Sequence, residues 1–361
     1  MNKIPKSIKL TVKLLLSIAL FSVLLSFVQG NELLKLFSQI NWGFFLLSFA
    51  FTPVMVAASC AKWKIILDLK KNLPYLELFK IYLVGYFFSN ILPSTVGGDV
   101  ARSYYAGKLI ENQDFSAVSV FVERFSGIFF LFILVIVAPL LKPELYQSPY
   151  LYLPACAGAG FALITLWVWK ARNPFTLPDR AAHLLFRFFH KISAASGLEF
   201  LERSVQFLEK LYSKLIHRLK KLRKELGLAV NAIKQDKQFL WRLICLTVLF
   251  YFLTWVNVYI SFRAFNVHVD FLAVCAMVPA IMFMAHIPVT LLGNLGYFES
   301  VFVFYFLLVG VGGAESLAMG LLLRMKMLTI GAVGYIVYLN YKQKYKFEPE
   351  FGPRDTNIEK S

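Results

Sequence analysis

Asp99 and Arg102 are the charged residues of a run that also carries a proline, two hydroxyls and two adjacent glycines: Ile91-Leu92-Pro93-Ser94-Thr95-Val96-Gly97-Gly98-Asp99-Val100-Ala101-Arg102. Pro93 and the Gly97-Gly98 pair interrupt a helix. A helix that restarts at Asp99 places Arg102 on the same face, three residues on, where the two charges can pair. Pairing matters because a lone carboxylate or guanidinium at membrane depth is expensive. Glu123 and Arg124, at the mouth of the next long apolar run, can join them. The pattern apolar-Pro-x-Thr, then glycine, then a carboxylate recurs at Ile287-Pro288-Val289-Thr290, Gly293, Gly296 and Glu299. Two interrupted apolar segments in the two halves of one chain point to a transporter-type binding site.

Two further cations, Arg324 and Lys326, lie inside the last apolar run. Uncompensated, each would cost about 2.5–3.5 kcal/mol on insertion scales. They need carboxylates, with Glu299 and Glu315 nearest in sequence, or an anionic ligand. One reading is that all these charges pair and hold helices together. The other is a polar, net-basic cavity suited to a phosphate head group, with Asp99, Arg102, Glu299, Arg324 and Lys326 lining it.

No Walker loop and no HExxH motif is present, and the glycines do not sit in a strand-turn-helix setting, so a dinucleotide fold is excluded. The four cysteines, Cys60, Cys156, Cys245 and Cys275, lie in apolar runs without CxxC spacing and read as buried structural residues. His286 beside Pro288 reads as a helix-bonding histidine. No catalytic residue, metal site or cofactor is called for.

The elements that hold these residues are membrane helices. The 361 residues are 58% hydrophobic and 16% charged, with a mean hydropathy of +0.62. Soluble domains are nearer 45–50% apolar and about 25% charged. The net charge of +17 suits cytoplasmic loops and anionic lipid rather than nucleic acid. Full spans are expected over 14–28, 42–61, 119–140, 150–169, 239–262 and 316–339, with residues 29–41 as a loop. Lys62, Lys64, Lys70 and Lys71 place the loop that follows the second span inside. Residues 77–116 and 271–313 each begin and end on one side, as re-entrant hairpins or as pairs of short spans. The first dips from the cytoplasm and the second from the exterior, which is the geometry of an inverted repeat. The fold expected is an all-α polytopic membrane protein with about six spans and two broken segments.

Between the halves, residues 170–242 carry 16 Lys/Arg against 6 Asp/Glu. Their apolar residues recur at helical spacing, as in amphipathic helices at the interface. The organisation read is an N-terminal membrane half over 1–170, cytoplasmic basic helices over 171–238, a C-terminal membrane half over 239–346 and a tail over 347–361. Both termini are expected in the cytoplasm of a bacterial-type inner membrane.

These residues resemble the lysylphosphatidylglycerol synthase transmembrane-region family, whose members include the flippase half of the multiple peptide resistance factor proteins. The resemblance rests on Leu92-Pro93-Ser94, Gly97-Gly98-Asp99 and Arg102, on Glu123-Arg124, on Ile287-Pro288, Gly293, Gly296 and Glu299, and on the span holding Arg324. It covers roughly residues 10–340. It departs at Asn294-Leu295-Gly296-Tyr297-Phe298-Glu299, where a Gly-x-Gly-x-x-Glu-like run is usual. The resemblance implies a protein that moves or exposes lipids between leaflets. Fused members add a soluble aminoacyl-transferase domain, and this sequence offers no stretch for one, so lysyl transfer is not expected. The partners implied are a phospholipid or lipid-linked substrate and anionic membrane lipids, but no nucleic acid. A homo-oligomer or a synthase partner anchored by the basic helices stays open. The alternative function is a membrane enzyme, or an accessory subunit of one, acting in aminoacyl-phospholipid or lipid-linked sugar synthesis with Asp99 or Glu299 as acid or base.

Overall fold

In a computed structural model the chain is described over residues 30–91, 97–146, 149–170, 236–287 and 294–345, with a few isolated positions elsewhere. The expected first span, the basic helices, the tail, and the motif residues Pro93, Pro288 and Gly293 lie outside the described residues. The protein is an all-α polytopic membrane protein, and among the described residues there is no strand. Ten α-helices are described: α1 Gly30–Ser38, α2 Trp42–Leu67, α3 Tyr75–Ile91, α4 Gly97–Leu109, α5 Gln113–Leu141, α6 Leu153–Lys170, α7 Lys237–Ala264, α8 Phe271–Ala285, α9 Tyr297–Leu307 and α10 Gly313–Tyr345. Helix α1 falls where a loop is expected. Its starting Gly30 and its outward Glu32 and Lys35 hide a face on which Leu33 and Leu36 pack against Leu317 and Leu322 of α10.

Four helices, α2, α5, α7 and α10, are long and apolar enough to cross a membrane. Helix α6 adds an 18-residue apolar helix. Helices α3, α4, α8 and α9 have 17, 13, 15 and 11 residues. At 1.5 Å per residue the longest of these is about 25 Å, short of the roughly 30 Å hydrocarbon layer. Polar side chains start three of the four long helices. Asn41, Asn112 and Asp236 each accept a backbone N–H of the first turn, at Phe44, Phe115 and both Gln238 and Phe239. Such caps are each worth about 0.5–2 kcal/mol.

The short helices form two hairpins. In the first, α4 folds back along α3, and the two arms meet where Gly98 lies against the Gly85 carbonyl and Ser89. Lys71, ahead of α3, donates to the Leu109 carbonyl at the end of α4 at 2.9 Å, so the hairpin returns to the side it left. In the second, α9 folds back along α8. The Asn294 amide caps the end of α8 by donating to the Ala285 and Ile287 carbonyls, both at 2.9 Å, and the Tyr297 hydroxyl donates to the Met284 carbonyl. Asn294 and Gly296 both have positive φ, at 63° and 81°. Glycine and asparagine are the residues that adopt this conformation most readily. At the base of this hairpin the Phe262 ring of α7 packs edge-on against Phe306 at 4.7 Å.

The two halves correspond element by element: α2 to α7, α3 to α8, α4 to α9 and α5 to α10. Within each half the first helix packs on the hairpin and on the last helix, and the hairpin's second arm packs on that last helix. Across the halves α2 packs on α7, α3 on α10, and α8 on α5. Exchanging the halves leaves this set of partners unchanged. Helices α2 and α7 are antiparallel: the Asn41 N–H at the start of α2 donates to the Ala264 carbonyl at the end of α7, while Ile66 packs with Phe239 and Leu243. The second repeat is therefore inverted relative to the first. Outside this frame, Lys142 after α5 pairs with Asp270 at the start of α8. That hydrogen bond holds the Asp270 carboxyl below the usual carboxylate range.

The close approach at Gly98 generates a paired prediction. Gly98→Ala forces a methyl group into the Gly85 backbone and should lower stability by about 1–3 kcal/mol, the usual cost of overpacking. Gly160→Ala on α6 meets no atom within 4 Å and should leave stability unchanged or raise it by up to about 1 kcal/mol. Thermal unfolding of the two purified variants in detergent reads the difference.

Candidate functional site

The first hairpin carries a buried ion cluster. Helix α4 starts at Gly97, so Asp99 lies in its first turn and Arg102 one turn on, as their spacing requires. The Arg102 side chain is 2% exposed. Its Nη2 donates to Asp99 Oδ1 at 2.7 Å and to Glu123 Oε2 of α5 at 3.2 Å. Its guanidinium lies over the Tyr82 ring at 4.3 Å and near Trp63 at 5.2 Å. Trp63 is fixed in turn by its Nε1 hydrogen bond to Ser119 Oγ at 3.0 Å. Arg124, whose side chain is 47% exposed, donates Nε and Nη2 to the same Asp99 Oδ1 at 3.1 and 3.0 Å. Glu123 Oε1 pairs with Lys62 of α2 at 3.5 Å.

Lys62 was expected among the basic loop residues after the second span. The structure instead runs α2 on to Leu67 and leaves the Lys62 residue 5% exposed. A lysine one turn inside a helix end usually extends its amine to the interface; the buried carboxylate of Glu123 holds this one back. Two cations on one carboxylate, at two different oxygens, tie α2, α4 and α5 together.

The second hairpin carries its own pair. Glu299 sits in the first turn of α9, and its Oε2 accepts the Gly296 N–H at 2.8 Å. Arg324 of α10 donates Nε to Glu299 Oε1 at 2.8 Å and Nη2 to Oε2 at 3.3 Å, with Phe298 against its guanidinium. Lys326, expected to need a carboxylate or an anionic ligand, is met by neutral oxygens of α7. Its Nζ donates to Asn257 Oδ1 at 2.9 Å and to Ser261 Oγ at 2.6 Å.

Between the two hairpins lies a cavity of about 510 Å³. From the first half it is lined by Tyr82, Gly85, Tyr86, Ser89, Gly98, Asp99 and Arg102, with Arg124 and Ile128 of α5. From the second half come Met282, Ala285, His286, Asn294 and Phe298, with Met327 of α10. Gly97 is buried beside it in the first turn of α4. Glu123, Gly296, Glu299, Arg324 and Lys326 do not line it: each is turned into a helix contact. The expectation of a cavity lined by Glu299, Arg324 and Lys326 therefore differs from the structure, because Glu299 and Arg324 satisfy one another behind Phe298 and Lys326 turns toward α7. His286 does bond within its helix, Nδ1 to the Met282 carbonyl at 2.6 Å, and it also lines the cavity. Tyr82, Tyr86, Ser89 and Asn294 reach the cavity without any signal in composition or spacing. Cys60 and Cys275 are buried as expected, whereas Cys156 and Cys245 face outward, where lipid is the neighbour for an apolar helix face. Among the described residues no group of three His, Cys, Asp or Glu side chains is placed to hold a metal.

Residues 10–334 match the family model described as the lysylphosphatidylglycerol synthase TM region, and the chain belongs to that family. A UPF0104 membrane protein from Methanocaldococcus jannaschii is 31% identical over 140 residues, which is 37% of this chain and 41% of that protein. No solved structure matches the chain.

The pairing of Glu299 with Arg324 generates a stability prediction. Glu299→Gln removes the carboxylate that faces a buried guanidinium and should cost about 3–5 kcal/mol, whereas Glu299→Gln combined with Arg324→Met should recover most of that loss. Thermal unfolding in detergent measures both; a single variant as stable as wild type would contradict the pairing.

Proposed function

We propose that this protein is a lipid translocase or lipid-binding transport protein of an inner (plasma) membrane. The observation that carries the proposal is the cavity between two oppositely oriented hairpins, whose wall holds Asp99, Arg102 and Arg124 among mostly apolar neighbours. Membership in a membrane-domain family of lysylphosphatidylglycerol synthase type supports a lipid-related role. In this reading the polar head group of a phospholipid or lipid-linked substrate sits between the tips, near the bilayer midplane, while its acyl chains stay in the bilayer. Each hairpin is re-entrant, the first from the cytoplasmic side and the second from the exterior, with both termini cytoplasmic. Residues 1–170 and 239–346 act as the two membrane halves, and the basic residues of 171–238 meet anionic lipid at the cytoplasmic face.

The inverted arrangement supports alternating access. Two halves of opposite orientation that pack through the same contacts have two equivalent ways to tilt against each other, one opening the cavity to each side. Of the residues proposed for substrate binding, Asp99, Arg102 and Arg124 face the cavity with Gly98, while Glu123 holds Arg102 in place. Gly296, Glu299 and Arg324 shape the second tip, and Lys326 fastens α10 to α7.

Reconstitution tests the proposal. Vesicles holding the purified wild-type protein should move a labelled phospholipid between leaflets faster than protein-free vesicles. Arg102→Leu and Arg124→Leu should abolish that acceleration, with Arg124→Leu doing so at unchanged thermal stability because Arg124 is half exposed. Arg324→Leu should act mainly through lost stability. Retained movement in both Arg102→Leu and Arg124→Leu would sink the proposal.

A further inference from the structure

We infer that the cavity selects a net-anionic, phosphate-bearing group, and that Asp99 stands in the anion's place until the ligand arrives. The inference rests on the cavity being a ligand site, as proposed above, and adds the charge class of the ligand and the residue that competes with it.

The charge balance comes first. The described cavity wall has two guanidiniums, Arg102 and Arg124, against one carboxylate, Asp99. Residues 92–96 and 288–293 contain no Asp, Glu, Lys, Arg or His, so they add no charge wherever they lie. Glu123 faces Lys62 and Arg102 from behind, and Glu299 is taken by Arg324 and the Gly296 N–H. No carboxylate is left over to receive a cationic head group. An ammonium brought into this cavity would meet two guanidiniums and a carboxylate already engaged by both.

The bonding pattern around Asp99 comes second. One oxygen, Oδ1, accepts three N–H bonds, one from Arg102 and two from Arg124, at 2.7–3.1 Å. Guanidinium forks converging on one oxyanion are how proteins hold phosphate, whose three or four oxygens can serve both forks at once. Arg102 Nη1 is buried and has no hydrogen-bond partner among the described residues. A buried donor in that state carries its full desolvation cost, which an incoming anion oxygen would remove.

The two arginines divide the work. Arg102 is fixed beneath aromatic rings and held from behind by Glu123. The Arg124 side chain is 47% exposed, and both its described hydrogen bonds go to Asp99. An arriving phosphate therefore takes Arg124 away from Asp99. Asp99 lowers the affinity for the anion and keeps the empty cavity electrostatically closed.

Binding measurements decide this. The full-length protein in phosphatidylcholine nanodiscs is titrated with short-chain phosphatidylglycerol, with its lysyl ester, and with glycerol 3-phosphate, alongside Asp99→Asn and Arg124→Gln. Wild type should bind phosphatidylglycerol at least about tenfold more tightly than the lysyl ester. Arg124→Gln should weaken that binding by about 10–100-fold, the size of a lost charge-assisted contact, and Asp99→Asn should strengthen it by about tenfold. If Asp99→Asn fails to fold, the ranking of the two lipids and the Arg124→Gln loss still decide. Equal or tighter binding of the lysyl ester overturns the inference, as does a folded Asp99→Asn that binds more weakly. Tight, Arg124-dependent binding of glycerol 3-phosphate that excludes the lipid would uphold the anion site while removing the lipid-transport reading. Loss of inter-leaflet movement with intact phosphatidylglycerol selectivity would do the same.

Discussion

Buried charge in a low-dielectric layer must be answered within the protein, and this requirement organises the whole bundle. Glu123 and Glu299 are the two deepest carboxylates described, at 5% and 0% exposure. Each is paired by a cation from another helix, and those pairs decide which helices can touch. Glu123 draws Lys62 from α2 and Arg102 from α4 onto α5. Glu299 draws Arg324 from α10 onto α9. Apolar packing against lipid-like surroundings offers little reason for one helix to prefer one neighbour, whereas a pair of opposite charges has a single acceptable partner. The hairpins depend on the same logic, because a chain that turns back at depth exposes backbone polar groups that only protein or water can satisfy. The Asn294 amide does this for the end of α8.

The cavity follows from how the ions are distributed. In the second half Arg324 meets Glu299 behind Phe298 and Lys326 turns away to Asn257 and Ser261 of α7, so neither cation reaches the cavity wall. In the first half there are more cations than the carboxylates can fully absorb, and the surplus faces inward through Arg102 and Arg124. Two repeats of similar packing thus give the cavity two unlike walls, one charged and one mostly apolar. That asymmetry suits a ligand with a polar end and an apolar end better than a symmetric ion.

Much of this was legible in the residues. Asp99, Arg102 and Glu123 announced themselves because ionisable types are rare in apolar runs and the three-residue spacing fixes their relative direction. The doubled motif announced the paired hairpins. The partners of Arg324 and Lys326 were only half legible. Glu299 was nearest in sequence and is the partner of Arg324. Asn257 and Ser261 answer Lys326 from a different helix, and neutral polar residues in an apolar helix carry no signal of what they face. Lys62 read as a loop cation because a helix end next to other lysines looks like a membrane boundary; only the tertiary position of Glu123 reveals otherwise. The outward placement of Cys156 and Cys245 was hidden because a lipid-facing side and a buried side have the same composition in a membrane helix.

Among the described residues helix α6 has no counterpart in the second half. It packs antiparallel on α5, with Phe161 stacked on Phe132 at 4.1 Å, so it ends on the face from which α7 starts. A repeat made of one crossing helix, one returning hairpin and one more crossing helix finishes on the face where it began. A second copy joined directly would repeat the first in the same orientation, with both tips reaching in from one face. The crossing of α6 carries the chain to the opposite face, and a second copy that starts there is turned over. Remove it, and the ions could still pair within each copy, but the two tips would no longer face each other across a shared space. A helix that contributes no described residue to the cavity wall thus makes the cavity geometrically available.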